Sequence, residues 1–471
     1  MTDRRRVMTW AATSTRLVVG AAAAAVAVLA VVVGVAAPWP TLTLTLTAAG
    51  VEATPAASDT VVSCAGALLA LGRNSLDASE LQLAADQSVV HASDGATATA
   101  DTLTPVPSIA DDAGAAVYTA APVDGTASDV AAAGSASLDA TDLRGFAASA
   151  CRPAQMESWL VGGSTATGSA DLVLLSNPGD VPATVDLTVY GAQGAQTPTG
   201  ATGIVVAPGT QRIVALAGIV VGEQAPAVRV TATGAPVTAV LQSSITRTLL
   251  PGGVDQIAAT SAADTELVIP GVVVTDSAVA SADAGATTLV RLLSAQTDTE
   301  ANVTVAAVDG SSSSTQQVPL HAGVPAELEL SGLVAGTYTV TVEAAVAVVG
   351  AVWQTTSLGE GADFAWYAQT PEVTGETLVA VPEGPSPTFV ATAADAAADI
   401  VLEPVTGASD EVTLSVAANG SGQAALVPGA VYRLTTSAAV HATVSYSGDG
   451  QLAGIPVWPA DAASSVLTVY P

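Results

Sequence analysis

The longest apolar run in the chain is Leu17 to Ala37 (LVVGAAAAAVAVLAVVVGVAA), 21 residues without a charge. A helix needs about 20 such residues to cross a bilayer core. Arg4, Arg5, Arg6 and Arg16 precede it, and the positive-inside rule then keeps residues 1–16 in the cytoplasm and exports everything from Pro38 onward. A cleaved signal peptide shares the arginine-rich start, but its apolar region is usually about 7–15 residues and ends in a small-x-small site. Val35-Ala36-Ala37 supplies small residues, yet Pro38 follows directly and the run has full membrane length. The expectation is an uncleaved transmembrane helix over 17–37 that contacts the lipid bilayer, with Trp39 at its outer interface.

Past this run the pattern changes from continuous to alternating. Ala183 to Tyr190 (ATVDLTVY), Val228 to Thr231 and Tyr338 to Val342 (YTVTV) place apolar and polar residues at period two, the spacing of a half-buried strand. Asn177-Pro178-Gly179-Asp180, Ala207-Pro208-Gly209, Asp309-Gly310 and Pro428-Gly429 punctuate them as turns. Thr41 to Thr47 (TLTLTLT) alternates without a break and reads either as a spacer or as the first strand of the N-terminal exported domain.

The alternating region repeats itself. Leu174-Leu175-Ser176 and Ala183-Thr184-Val185 recur 118 positions on as Leu292-Leu293-Ser294 and Ala301-Asn302-Val303. Ala239-Val240-Leu241-Gln242-Ser243-Ser244 matches Ala351-Val352-Trp353-Gln354-Thr355-Thr356, and Gly253-Val254-Asp255 matches Gly361-Ala362-Asp363. A third copy shows in its second half, where Gly332 to Tyr338 corresponds to Ala425 to Tyr432 with one insertion. Units of about 100 residues with a turn every 8–12 residues fit immunoglobulin-like sandwiches and are too long for a solenoid or propeller blade.

The fold class expected is therefore mainly β: an N-terminal transmembrane helix followed by tandem immunoglobulin-like β-sandwich domains. The boundaries are a cytoplasmic tail 1–16, the helix 17–37, a spacer 38–60, a small N-terminal domain 61–155, and sandwiches at 156–260, 264–370 and 375–471. Linkers fall near Ala258–Ala263 and Thr370–Thr374.

Composition changes this picture in two ways. Cys64 and Cys151 are the only cysteines, and an even pair in an exported segment reads as a disulfide bracketing the N-terminal domain. Two free thiols are the alternative, since spacing does not establish proximity. Between them, from Asn74 to Ala150, large apolar side chains are few, so a cross-link would compensate for a thin core.

All 12 basic residues are arginine, and past Pro38 eight arginines face 41 acidic residues. A field of that sign repels phosphate backbones, so nucleic acid is excluded as a partner. It also keeps an Ala- and Val-rich chain soluble.

Candidate chemistry is sparse. His91, His321 and His441 are isolated in sequence, without the short spacings of zinc sites. Asp298 and Glu300 form a solvated turn or a weak ion site. Gly-x-Ser-x-Gly is absent, and the lack of lysine removes Ser-x-x-Lys and Walker A arrangements. No catalytic, cofactor or metal residue is assigned. Paired carboxylates for glycoside hydrolysis would need a cleft rich in aromatics, which 3% aromatic content scarcely supplies. Trp353, Phe364, Trp366 and Tyr367 form the one aromatic cluster. Their rings either fill a sandwich core or present a ligand surface for sugars.

Ser158-Trp159-Leu160-Val161-Gly162-Gly163, the Leu-Ser-Asn-Pro-Gly stretch at 175–179, Gly253-Val254-Asp255-Gln256-Ile257 and Leu267-Val268-Ile269-Pro270-Gly271-Val272 together carry a resemblance. The chain resembles the actinobacterial domain-of-unknown-function family 5719, single-span exported proteins, over roughly residues 60–471. The resemblance implies a location in the cell envelope and transfers no catalytic residue. The expected function is a non-enzymatic, membrane-anchored extracytoplasmic envelope protein with a structural, adhesive or cell-wall assembly role. Its partners would be cell-wall glycan or another envelope protein. A glycan-binding module is the alternative, and a glycoside hydrolase stands behind both.

Overall fold

Alternation read from the chain becomes strand. In Ala183–Gly191 the side chains of Ala183, Val185 and Leu187 are buried while Thr184 and Asp186 face out, as one-sided burial of a pleated strand requires. The computed structural model describes residues 18–33, 51–53, 57–73, 76–77, 80–109, 114–247, 250–407, 410–460 and 467–469, and the chain is mainly β. Two compact units form, Met1–Thr54 with Val466–Pro471, and Pro55–Ser465.

In the first unit residues 18–33 are helical, and Val51–Ala53 pairs antiparallel with Leu467–Val469. Among the described residues no helix is long and apolar enough to cross a membrane. The expected span over 17–37 runs past both ends of the described helix. The expected cytoplasmic tail, Trp39 and Thr41–Thr47 lie outside the described residues.

The second unit holds everything else. Residues 157–258 build two sheets. One orders Glu157–Val161, Ala227–Thr233, Ala183–Gly191 and Gly194–Gln196. The other orders Leu250–Ala258, Thr238–Arg247, Leu172–Asn177 and Thr210–Ala215, and is extended by Thr104–Val106 in parallel. In the next two repeats a single long strand crosses the whole unit: the 20-residue Gly336–Thr355 and the 19-residue Ala430–Gly448. The first half of Gly336–Thr355 pairs with Asp264–Val274 and Thr299–Ala307, and its second half pairs with Thr288–Leu293 and Phe364–Ala368. In the first repeat the corresponding path is broken by Gly234-Ala235-Pro236 into Ala227–Thr233 and Thr238–Arg247. Proline lacks the N–H that a ladder needs.

Four segments end in comparable strands: Arg144–Ala150, Leu250–Ala258, Phe364–Ala368 and Gln451–Pro456. These pack on one another in a closed circuit, each against the next and the last against the first. Small residues allow the approach. A Cβ on Gly145, whose φ is +146°, would collide with Asp363 and the backbone of Val254. One on Gly253 (φ +118°) would strike Phe364. Only glycine suits both the space and the backbone conformation there.

The region between the cysteines has small sheets of two and three strands. Cys64 and Cys151 form a disulfide across 87 positions within a core of Val62, Tyr118, Ala120, Val130 and Ala132. The adjoining segment is fastened by glutamines of the first repeat. Gln242 exchanges two hydrogen bonds with the backbone of Leu69, at 2.9 and 2.7 Å. Gln256 donates to the Gly66 carbonyl and Gln211 to the Ala65 carbonyl, both at 2.9 Å. Buried amides here stand in for a neighbouring strand, which satisfies backbone groups that would otherwise be orphaned. In the second repeat Gln354, the counterpart of Gln242, instead accepts from Thr288 at 2.6 Å.

Candidate functional site

The central strands bring three buried aspartates and one buried arginine to the junctions between repeats. Asp363 sits where all four final strands converge. Its carboxylate accepts backbone N–H groups from Phe146 (3.0 Å), Val254 (3.3 Å) and Leu452 (3.3 Å). Burial pushes its pKa well above the ordinary carboxylate value, and those N–H donors pull partly back. Asp255, one repeat earlier in the same Gly-x-Asp position, accepts from Trp366 at 2.7 Å and Gln256 at 2.8 Å. Burial raises its pKa to about 7 against the same opposing hydrogen bonds.

Asp171 is raised to about 6, again by burial first, with hydrogen bonds from Ser243 and Ser164 and the charge of Arg291 opposing. Arg291 is 3% exposed. Its guanidinium donates to the carbonyls of Gly163 (2.8 Å) and Pro226 (2.9 Å) and to Glu327 (2.7 Å). It also lies 4.6 Å from the ring centre of Trp366. This is the planar, multi-donor role that suits arginine and not lysine.

These groups are chemically conspicuous but spent. The oxygens of Asp255 and Asp363 point at backbone N–H groups, and the arginine at carbonyls. The arrangement binds repeat to repeat.

The aromatic cluster is part of the same interior. Trp353 is 9% exposed, Trp366 5%, Tyr367 1% and Phe364 0%. Trp353 and Phe364 pack at 6.3 Å between ring centres, within the core of the first two repeats, while Tyr367 belongs to the core that also holds Leu452. None of the four offers an open ring face on which a sugar would stack.

The histidines remain apart. His91 stacks on Tyr118 at 4.2 Å. His321 is exposed 3.9 Å from Asp298. His441 bonds through Nδ1 to the Thr370 carbonyl at 2.9 Å. Asp298 accepts from the Ala322 N–H at 2.7 Å. Among the described residues no group of three or more His, Cys, Asp or Glu could hold a metal ion.

Open space lies between repeats. A cleft of about 630 Å³ separates the second and third, lined by Asp264, Glu266, Glu343, Gln369, Glu372 and Asp395 among others. Another of about 720 Å³ lies between the N-terminal region and the first repeat, beside Asn177, Pro178 and Asp180. The acidic cleft escapes sequence reading because its carboxylates are scattered over more than 130 positions. The one available signal, glutamates on the outward phase of two strands, is also what any solvated strand shows.

A family model described as "Family of unknown function (DUF5719)" matches residues 106–455. No curated protein matches the chain. Among solved structures the chain is similar to a tetra-tandem repeat in the extending region of a large adhesion protein. The identity is 14%, with 79% of this chain and 90% of that chain covered and a TM-score of 0.11. It is also similar to the BSP domain of a biofilm-associated protein, at 8% identity, with 71% and 64% covered and a TM-score of 0.12. At such TM-scores these likenesses carry no argument.

Proposed function

Since the matched span takes in most of its length, the chain belongs to this family of unknown function, and from that premise we propose a membrane-anchored, extracytoplasmic envelope protein with a non-enzymatic structural, adhesive or cell-wall assembly role. The observation that carries the reading is the closed circuit of final strands around Asp363. Repeats locked to one another through buried polar staples make a rigid body with loops and strand edges on its outside, suited to holding partners. The anchor would be the apolar stretch 17–37, whose described part is helical throughout, and the arginines before it would fix the direction of export.

The finer architecture, tandem immunoglobulin-like sandwiches, belongs to the same proposal. Its support is a pair of tyrosines: Tyr338 donates from its hydroxyl to the Val334 carbonyl at 2.9 Å, and the Tyr432 hydroxyl accepts from the Val427 N–H at 3.0 Å. Both tie a strand start to backbone a few residues upstream, as a tyrosine corner does.

The test is fractionation of cells with protease treatment of intact envelopes, followed by co-sedimentation of the protein with purified envelope at low and high salt. The proposal expects the chain in the membrane fraction, its Pro38–Pro471 part cleaved from outside, and envelope binding that survives high salt. Recovery in the soluble cytoplasmic fraction, protected from protease, overturns it.

A further inference from the structure

The Thr60–Ser63 strand is the edge of its three-stranded sheet and pairs in register on one side only, with Ala116–Ala120. On its other side Ser63 alone is bonded. The Ser63 N–H donates to the Arg152 carbonyl at 2.9 Å, and the Ser63 carbonyl accepts from the Arg152 N–H at 2.8 Å. The Cys64 N–H points the opposite way, to the Ala116 carbonyl at 2.9 Å. Backbone groups of an antiparallel strand alternate in this manner from residue to residue. Val61, two residues before Ser63, therefore turns its N–H and C=O away from Ala116–Ala120. Among the described residues neither group has a hydrogen-bond partner.

The cause is local in sequence. The segment that would continue beside Val61 follows Arg152, and it begins with Pro153, which has no N–H to offer. Gln155 then exchanges bonds with Val237 at 2.9 and 3.0 Å, so by that point the chain has crossed to the first repeat. What it leaves behind is the cleft of about 720 Å³, lined by Val61 together with Asp59, Pro153, Pro178, Asp180 and Pro236. The three prolines can donate nothing to the Val61 carbonyl. Asp59 and Asp180 are exposed, and among the described residues neither takes part in an ion pair. No arginine lines the cleft.

We propose that this cleft receives an extended segment of another protein, which adds a strand to the free edge at Val61 and carries basic side chains toward Asp59 and Asp180. An unpaired N–H and C=O on one residue call for the backbone of a strand, the recurring mode of peptide capture at a sheet edge. The uncompensated carboxylates select the sign of the flanking side chains. A second copy of this chain suits the edge less well, because pairing edge to edge would set Asp59 of each copy against like charge on a chain of net charge −30. The volume falls in the ordinary range of ligand clefts. The proposal deepens the scaffold reading and rests on it only for the premise that the chain holds a partner. Membrane and envelope location play no part in it, so failure here leaves the fractionation result standing, and the reverse.

The experiment is fluorescence anisotropy of labelled, blocked pentapeptides with the full chain in non-ionic detergent. The probe is Arg-Val-Thr-Val-Arg. One comparison peptide has the same sequence methylated on its three central amide nitrogens, and another is Glu-Val-Thr-Val-Glu. The basic probe is expected to bind, its methylated form about tenfold more weakly or less, and the acidic one not at all. Hydrogen exchange should show the Val61 amide exposed in the free chain and protected in the complex. Asp59→Asn with Asp180→Asn weakens the probe about tenfold, whereas Asp309→Asn, an exposed carboxylate elsewhere, has no effect. Val61→Pro removes the donor on the cleft side and abolishes binding. If that variant does not fold, the methylated peptide asks the same question from the ligand side. Absence of binding at millimolar concentration, equal binding of the methylated peptide, or an unprotected Val61 amide in the complex overturns the proposal. Self-association of the chain that Asp59→Asn strengthens and added probe disrupts would make the occupant a second copy, and overturns it as well.

Discussion

Asp255 accepts the backbone N–H of Trp366 at 2.7 Å, a bond that reaches from the last strand of one repeat to the last strand of the next. Asp363, its counterpart a repeat later, makes the same reach to Leu452 at 3.3 Å and also holds Phe146 and Val254. The Gly-x-Asp motif is thus a staple used twice. Replacing Asp363 by alanine strands three buried N–H donors, each costing about 1–3 kcal/mol. We expect Asp363→Ala to lower stability by about 3–5 kcal/mol in urea unfolding, against no measurable change for Asp309→Ala at the surface. A loss below about 1 kcal/mol would show that the junction is held by apolar packing alone.

The same staples make stability depend on pH. Asp255 has a folded pKa of about 7 and Asp171 of about 6, both above the ordinary value of 3.8 because of burial. A raised carboxyl binds its proton more tightly in the folded state, so its stabilising contribution is full below the unfolded value and lost as pH rises through the folded one. The melting temperature should therefore fall between about pH 4 and pH 7, most steeply near about pH 5, where both groups are ionised in the unfolded chain and protonated in the folded one, and with Asp255 alone setting the slope above about pH 6. Asp255→Asn should flatten the upper part of that slope while lowering stability throughout, since its amide nitrogen opposes one of two N–H donors. A slope unchanged in the Asn variant would mean that Asp255 does not set the pH dependence.

Arg291 provides a test of electrostatics at the first junction. It carries the carbonyls of Gly163 and Pro226, the Glu327 carboxylate and the face of Trp366 together. Arg291→Lys keeps the charge but loses the fork, and a buried ion that loses partners is costly. The expected loss is about 3 kcal/mol, with a shift in tryptophan emission from Trp366. Wild-type-like emission and stability would mean that a lysine ammonium fills the same role.

Much of the strand pattern was legible because period-two alternation reports one-sided burial directly, as in Ala183–Gly191. The repeats are legible because Gly253 and Gly361, Asp255 and Asp363, and Gln242 and Gln354 recur, and of these pairs the two aspartates staple one repeat to the next. Their meaning was not legible. An aspartate after Gly-Val reads as a turn or a surface position, and only the packing of four distant strands shows that it is buried. The aromatic cluster kept two readings for a similar reason. Trp366 and Tyr367 are adjacent in a strand, so period two sends one of them outward, and both become interior only because another repeat covers the second face.

The disulfide gives the last test. Cys64 and Cys151 are 1% and 6% exposed, and their link closes 87 positions, which in the chain-entropy model stabilises by about 4–5 kcal/mol. The effect should be local, because the segment after Cys64 has other fastenings. Gln211, Gln242 and Gln256 hold Ala65, Gly66 and Leu69 to the first repeat, and none of these bonds depends on the cross-link. Replacing both cysteines by serine should therefore speed amide exchange in strands Thr60–Ser63, Ala116–Ala120 and Asp129–Asp139, whose small core surrounds the sulfurs. Exchange in Gly336–Thr355 and Ala430–Gly448 should stay as in the parent, since their cores contain neither cysteine. Hydrogen exchange read by mass spectrometry resolves the two outcomes. A uniform rise across all repeats would mean that the disulfide sets the stability of the whole unit through the Arg144–Ala150 strand, which Cys151 directly follows.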